Sequence, residues 1–164
     1  MEINNKPKMK IPIECPIFRA YLQKIIPDAF DADGLINKEH EARKSIQDIN
    51  IDGIGAGSLD GIGLFDILRY LDIDYNPKIK HLPRLPNTLE EFYSNQKFKT
   101  SVQPVFFNGA WNYILLDNGR VLCGDIEWVN LNKFKEWAAE RHDKSEFTQF
   151  IVECEQYLAK LNKT

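Results

Sequence analysis

The chain has 164 residues, a net charge of −3 and 43% apolar residues, ten of them Phe. That length suits one domain with a sizeable core, and the aromatic-rich composition excludes a disordered chain. The acidic balance argues against general nucleic-acid binding, and no apolar run approaches the roughly 20 residues of a membrane span.

Residues 1–10 read as a flexible arm ahead of a single domain over 11–164. The arm is polar and basic, without the apolar core of a secretory signal. Apolar positions at 17, 18, 21, 22, 25 and 26 predict a helix over Ile17–Ile26 that opens near Pro16 and stops at Pro27. Asn37–Asn50 predicts a second, more polar helix.

The stretch from Asp52 to Asp66 holds five of the nine glycines and repeats Asp-Gly-Ile-Gly. Such clustering marks special turns or a close approach. Apart from that doublet, no repeat is visible. Leu64, Ile67, Leu68 and Leu71 predict a short helix over Leu64–Leu71. Asn76–Asn87, with three prolines, reads as an extended loop. Thr88-Leu-Glu-Glu91 has the form of a capping box and predicts a helix over Leu89–Tyr93.

Trp111–Asp117 and Arg120–Ile126 flank Asn118-Gly119, the signal for a hairpin with a two-residue type I′ turn. That loop pairs Asp117 with Arg120, Leu116 with Val121 and Leu115 with Leu122. Trp111, Tyr113, Leu115, Leu122 and Ile126 would then share one face, and Ile114, Leu116, Val121 and Cys123 the other. Both faces are apolar, so the hairpin should be central and covered twice. Val102–Phe107 predicts a third strand, which Pro104 places near an edge or at a bulge. Helices follow over Leu131–Arg141 and Ser145–Leu161, the second with a continuous apolar stripe. The expected architecture is α+β: an antiparallel sheet of three or more strands with a central hairpin, packed by N- and C-terminal helices.

Chemical motifs are sparse. Asp31-Ala-Asp33-Gly34 resembles part of a calcium loop, but its twelfth position falls on His40, where a bidentate acid is needed. Gly55-Ala-Gly57 lacks the third glycine of a dinucleotide turn, and an acid, Asp60, stands there instead. His40, His81 and His142 form no hydrolytic pattern. Cys15, Cys123 and Cys154 sit in apolar contexts without Cys-x-x-Cys, as buried free thiols of a reducing cytosol do. The expectation is a binding protein without catalytic residues, resident cofactor or metal, and with no nucleic-acid or membrane partner.

Charge is unevenly placed. Residues 45–75 carry six Asp against Arg69, and residues 76–101 carry five basic against two acidic residues. Asp52, Asp60, Asp66, Asp72 and Asp74 are the candidate contacts for a basic partner. A small-ligand or calcium-binding module built on loop 52–66 is the alternative.

The second half offers a resemblance. A proline-bearing segment leads to Val105-Phe106-Phe107. An aromatic strand (111–116), an Asn-Gly turn, Val121-Leu122-Cys123 and a closing helix with Ser145, Phe147, Phe150 and Ile151 follow in order. Over residues 100–160 this pattern is similar to the SMI1/KNR4-like (SUKH) superfamily. The resemblance implies a cytoplasmic immunity protein that neutralises a cognate bacterial toxin by direct contact, without catalytic residues.

Overall fold

The computed structural model describes residues 9–163. Residues 1–8 of the expected arm lie outside that range, and Lys10 already belongs to a strand. The α+β class is as expected, with the sheets divided between two architectures.

The first half is a short parallel solenoid. Strand β1 (Lys10–Ile11) pairs antiparallel with β2 (Ile36–Asn37). Between them runs α1 (Pro16–Ile25), which buries Phe18 and Leu22. Strands β3 (Asp48–Asn50), β4 (Tyr70–Asp72) and β6 (Glu91–Tyr93) then form a parallel sheet in which Ile49, Leu71 and Phe92 align. The chain therefore returns to the same place after 22 and then 21 residues. Leu68-x-x-Leu71-x-Ile73-x-x-Asn76 has the spacing of a leucine-rich repeat, with Leu68, Leu71, Ile73 and Asn76 all buried. Ile46, Ile49 and Ile51 precede it at the same spacing, and Leu89, Phe92 and Ser94 follow. On another side of the turns, β5 (His81–Leu82) runs parallel to β7 (Thr100–Ser101).

Asn76 holds two turns together. Its Nδ2 donates to the carbonyls of Ile51, Ile73 and Asp74, and its Oδ1 accepts from Ala56 N–H at 2.9 Å. Both ends of the solenoid are covered, as repeat stacks require. At the first turn, Asn50 N–H donates to Tyr21 Oη of α1. At the third, Asn112 Nδ2 donates to the carbonyls of Ser94 and Gln96.

Asn112 belongs to the second half, an antiparallel sheet of β8 (Val105–Asn108), β9 (Trp111–Leu115), β10 (Val121–Cys123) and β11 (Ile126–Trp128). The spatial order is β11-β10-β9-β8, so the strand after Pro104 is an edge, as expected. One face of the sheet (Ile114, Leu116, Leu122) closes the solenoid core. The other (Tyr113, Leu115, Val121, Cys123) packs under α2 (Leu131–Ala139) and α3 (Thr148–Leu161). There Phe134 is surrounded by five aromatic rings. The central hairpin is thus covered on both faces. All three cysteines are buried and free.

Four local expectations are corrected. No helix spans Asn37–Asn50. Asn37 pairs in β2 and Asp48–Asn50 form β3, and between them only a short 3-10 helix forms at Glu41–Ser45, capped by His40 Nδ1, which accepts Ala42 N–H. No helix spans Leu64–Leu71 either. Arg69 and Tyr70 N–H donate sideways to Gln47 O, so Leu68 and Leu71 follow the repeat spacing and not the helical one. At Thr88 no capping box forms. Its hydroxyl donates to Leu68 O at 2.7 Å, while Glu90 and Glu91 N–H both reach Arg69 O in the parallel ladder, making β6 a strand.

The fourth correction is the hairpin register. Leu115 pairs with Val121 and Ile114 with Leu122. Leu116 N–H bonds Arg120 O, and Gly119 N–H bonds Leu116 O with Gly119 at φ 89°, giving a three-residue loop. The loop is docked: Asn118 Nδ2 and Arg120 Nη1 both donate to Asn87 O. One extra loop residue moves Val121 and Cys123 to the face of Leu115, and Leu122 to the face of Ile114.

Candidate functional site

Alternation along the solenoid strands points Ile49, Leu71 and Phe92 inward and leaves their neighbours outward. Register then builds the outer face in rows: Asp48, Tyr70, Glu91; and Asn50, Asp72, Tyr93. Asp52 and Asp74 extend it just beyond the strand ends. The face continues into the antiparallel sheet, because Phe92 and Gly124 exchange backbone hydrogen bonds of 3.0 and 3.1 Å. That bridge sets Asp125 beside Tyr93, whose phenol is raised by burial and then by Glu91, Asp125 and Asp72.

Gly124 fits its place for a spatial reason. With φ at 58°, a Cβ there would lie 3.1 Å from the Trp111 ring and 3.4 Å from that of Tyr93. Trp111 remains 53% exposed, so an aromatic side chain borders the acidic face. Tyr70 and Tyr93 lie side by side with ring centroids 5.5 Å apart.

The flanking cations are already engaged. Arg69 makes a forked contact with Glu90, at 2.9 Å for Nη2–Oε2, and Arg120 binds Glu127. Among the described residues no ion pair reaches Asp48, Asp52, Asp72, Asp74, Glu91 or Asp125. The acids repel one another. The Asp74 carboxyl is raised by burial first, then by Asp72 and Asp52, against the N–H of Asn95, which lowers it.

A raised folded-state carboxyl loses stability as pH rises from the unfolded value upward, and the loss persists at neutrality. Asp74→Asn is therefore expected to stabilise the fold at pH 7 by up to about 0.5 kcal/mol, and to approach the wild type near pH 2.5, more than a unit below the ordinary carboxyl value of 3.8, where the folded and unfolded carboxyls are both protonated. Urea titrations at the two pH values measure this.

Asp52, Asp72 and Asp74 are thus brought together. Asp60 and Asp66 are not on this face. Both belong to the connection between β3 and β4, and Asp66 is tied to the buried Arg43 by Nη1–Oδ2 at 2.9 Å. Asp48, Glu91, Tyr70, Tyr93, Asp125 and Trp111 are further members; the signal for the first four is the 21- to 22-residue period, and the last two are brought in by the antiparallel sheet through the Phe92–Gly124 bridge.

The glycine-rich loop is the solenoid's turn. Gly53, Gly55 and Gly61 adopt positive φ, and at Gly61 a Cβ would meet Ile13 Cδ1 at 2.6 Å. Several of its backbone donors are used internally: Gly53 N–H by Asp74 O, Ala56 N–H by Asn76, and Gly57 N–H by Cys15 Sγ. Burial pushes the Cys15 thiol up, but the N–H groups of Phe18, Gly57, Ser58 and Ile17 together bring it below its ordinary value. Asp31 Oδ1 accepts from Asp33 and Leu35 N–H, and Oδ2 takes Lys10, a turn cap. Among the described residues, no group of three or more His, Cys, Asp and Glu could hold a metal ion. No helix among them is long and apolar enough to cross a membrane.

The fold and site define a short parallel solenoid, capped by an antiparallel sheet, with an acidic, aromatic-bordered strand face. No family model matches the chain, no curated protein matches it, and no solved structure matches it.

Proposed function

We propose that this is a binding protein that takes a basic protein surface on the strand face of Asp48, Asp52, Asp72, Asp74, Glu91 and Asp125. The observation that carries this reading is the set of six carboxylates on one face without an ion pair among the described residues. Tyr70, Tyr93 and Trp111 add rigid aromatic area of the kind that anchors interfaces, and arginine or lysine side chains can lie over such rings. From the likeness of residues 100–160 to the SMI1/KNR4-like superfamily, the partner is a bacterial toxin domain, held inactive in the cytoplasm.

The test compares the wild type with the triple variant Asp72→Lys, Glu91→Lys, Asp125→Lys as bait in host lysate. All three side chains border solvent, and far-UV circular dichroism confirms that the variant folds. The expected result is stoichiometric capture of one basic domain by the wild type, released by salt. Reversal should weaken that complex at least 100-fold, since like charges across an interface cost several kcal/mol. Equal capture by both baits overturns the assignment of this face. Co-expression then tests neutralisation: capture without relief of the partner's toxicity leaves a binding protein and removes the toxin.

A further inference from the structure

β8 is an open edge of the antiparallel sheet. Val105 pairs with Ile114, and Leu115 N–H bonds Pro104 O, which fixes the alternation of the ladder. Phe106 and Asn108 turn their backbone groups toward β9, while Val105 and Phe107 turn theirs away. Among the described residues no hydrogen bond reaches the outward N–H and C=O groups of Val105 and Phe107. Natural sheets guard such edges with charge, bulges or a covering element. Val105-Phe106-Phe107-Asn108 carries no charge, and a groove flanks it instead of a cover.

One wall of the groove is α3 and the other is the segment 97–105. Beside Phe107 lies a cavity of about 230 Å³ walled by Phe98, Phe106, Phe107 and Phe150. Asn112 also lines it, at 2% exposure, with an Oδ1 that has no hydrogen-bond partner. A second cavity of about 340 Å³ continues the groove, sharing Phe98, Val105 and Glu153 with the first. Along α3 the two run from Gln149 to Lys160, about 16 Å at the helical rise. That is the reach of about five residues of extended chain. Lys97, Lys99 and Lys160 line the groove against one acid, Glu153. The three lysines are exposed, and among the described residues none of them takes part in an ion pair.

We propose that this groove takes an extended, acidic peptide segment of a partner protein, which joins the sheet as a strand beside β8. Val105 and Phe107 offer two N–H and two C=O groups at strand spacing, a pattern that an extended main chain satisfies. One apolar side chain of the segment fills the aromatic cavity, and carboxylates on it meet Lys97, Lys99 and Lys160. The charges select against a second copy of the chain as occupant. Pairing β8 with another β8 would bring no acid from either strand and would set the lysines of the two grooves against one another. The groove lies at the opposite edge of the sheet from β11, so this inference does not rest on the basic partner proposed for the acidic face.

The probe is a phage-displayed library of random heptapeptides selected on the full chain, with the strongest binder then synthesised. The selected peptides are expected to carry acids beside apolar residues and to bind more weakly as salt rises. Hydrogen exchange read by NMR locates the contact. The Val105 and Phe107 amides should exchange fast in the free protein and slow by about tenfold or more with the peptide bound. Val105→Pro removes one outward donor while sparing the bonds to β9, and should weaken binding about tenfold. Lys97→Glu with Lys160→Glu, on two exposed side chains that leave the fold alone, should weaken it by a similar factor and keeps the test open if the proline variant misfolds. A selection that enriches nothing, or enriches peptides without acids, overturns the proposal. So does a peptide that binds without slowing those two amides. A wild type that dimerises in sedimentation velocity with the same two amides protected gives the edge to a second copy and overturns it too. Neither variant alters the acidic face, so capture of a basic partner remains a separate readout of the function proposed above.

Discussion

Asn76→Ala is expected to destabilise the protein by about 2–5 kcal/mol, because it strands polar groups in the fully buried surroundings of Asn76. The carbonyls of Ile51 and Asp74 keep hydrogen bonds from Ile54 and Gly53 N–H. The loss therefore falls on Ala56 N–H and Ile73 C=O, which have no other hydrogen bond among the described residues. An orphaned buried group costs about 1–3 kcal/mol, and each kcal/mol lowers Tm by roughly 2–4 °C at this size. Asn76→Asp is the sharper test. It keeps the size and one acceptor but replaces three donated bonds with a carboxylate facing carbonyls, so it should be at least as damaging at pH 7. Thermal and urea unfolding of both variants measure this. A change below about 1 kcal/mol in either would show that the turns do not hang on this side chain.

Phe134→Ala should cost about 3–5 kcal/mol, the range for emptying a buried aromatic site. Phe134 is fully buried, with ring centroids of Trp128, Trp137, Phe150, Phe147 and Tyr113 at 4.9–5.9 Å. Ring pairs of this kind add to the burial term. The position of the cavity predicts more than the size of the effect. The antiparallel sheet separates the two cores, so hydrogen exchange should quicken first in α2 and α3, while the amides of Ile49, Leu71 and Phe92 stay protected. Phe134→Leu should recover most of the loss. Uniform loss of protection in Phe134→Ala would mean that the two cores open as one unit.

The second half of the chain was the more legible. There α2 and α3 follow from apolar stripes at helical spacing and the edge position of β8 from Pro104, as α1 does from its own stripe in the first half. In the first half, local patterns competed with the period. Leu64, Ile67, Leu68 and Leu71 satisfy a helix as well as they satisfy part of a repeat turn, and Thr88-x-x-Glu91 satisfies a cap. Both readings fail for one reason: Gln47 O and Arg69 O, far away in sequence, take the N–H groups that a helix would have kept. The repeat itself was hidden because its first turn lacks the asparagine and its third has Ser94 where the others have isoleucine. The candidate site inherits that difficulty. Asp52, Asp72 and Asp74 were visible as local acid density, but Asp60 and Asp66 shared the density without sharing the face. Glu91 and Asp125 could join it only through strand register and the Phe92–Gly124 bridge.

By itself the sequence determined the α+β class, the closing helices and a hairpin buried on both faces, because these follow from the spacing of apolar side chains within a single element. Tertiary structure decided the hairpin register, the parallel solenoid and the acidic face. Asn87 fixes a three-residue loop by binding Asn118 and Arg120 from outside the hairpin, and parallel strands bond only to partners some twenty residues away. Which residues share a surface therefore depends on contacts that no local pattern encodes.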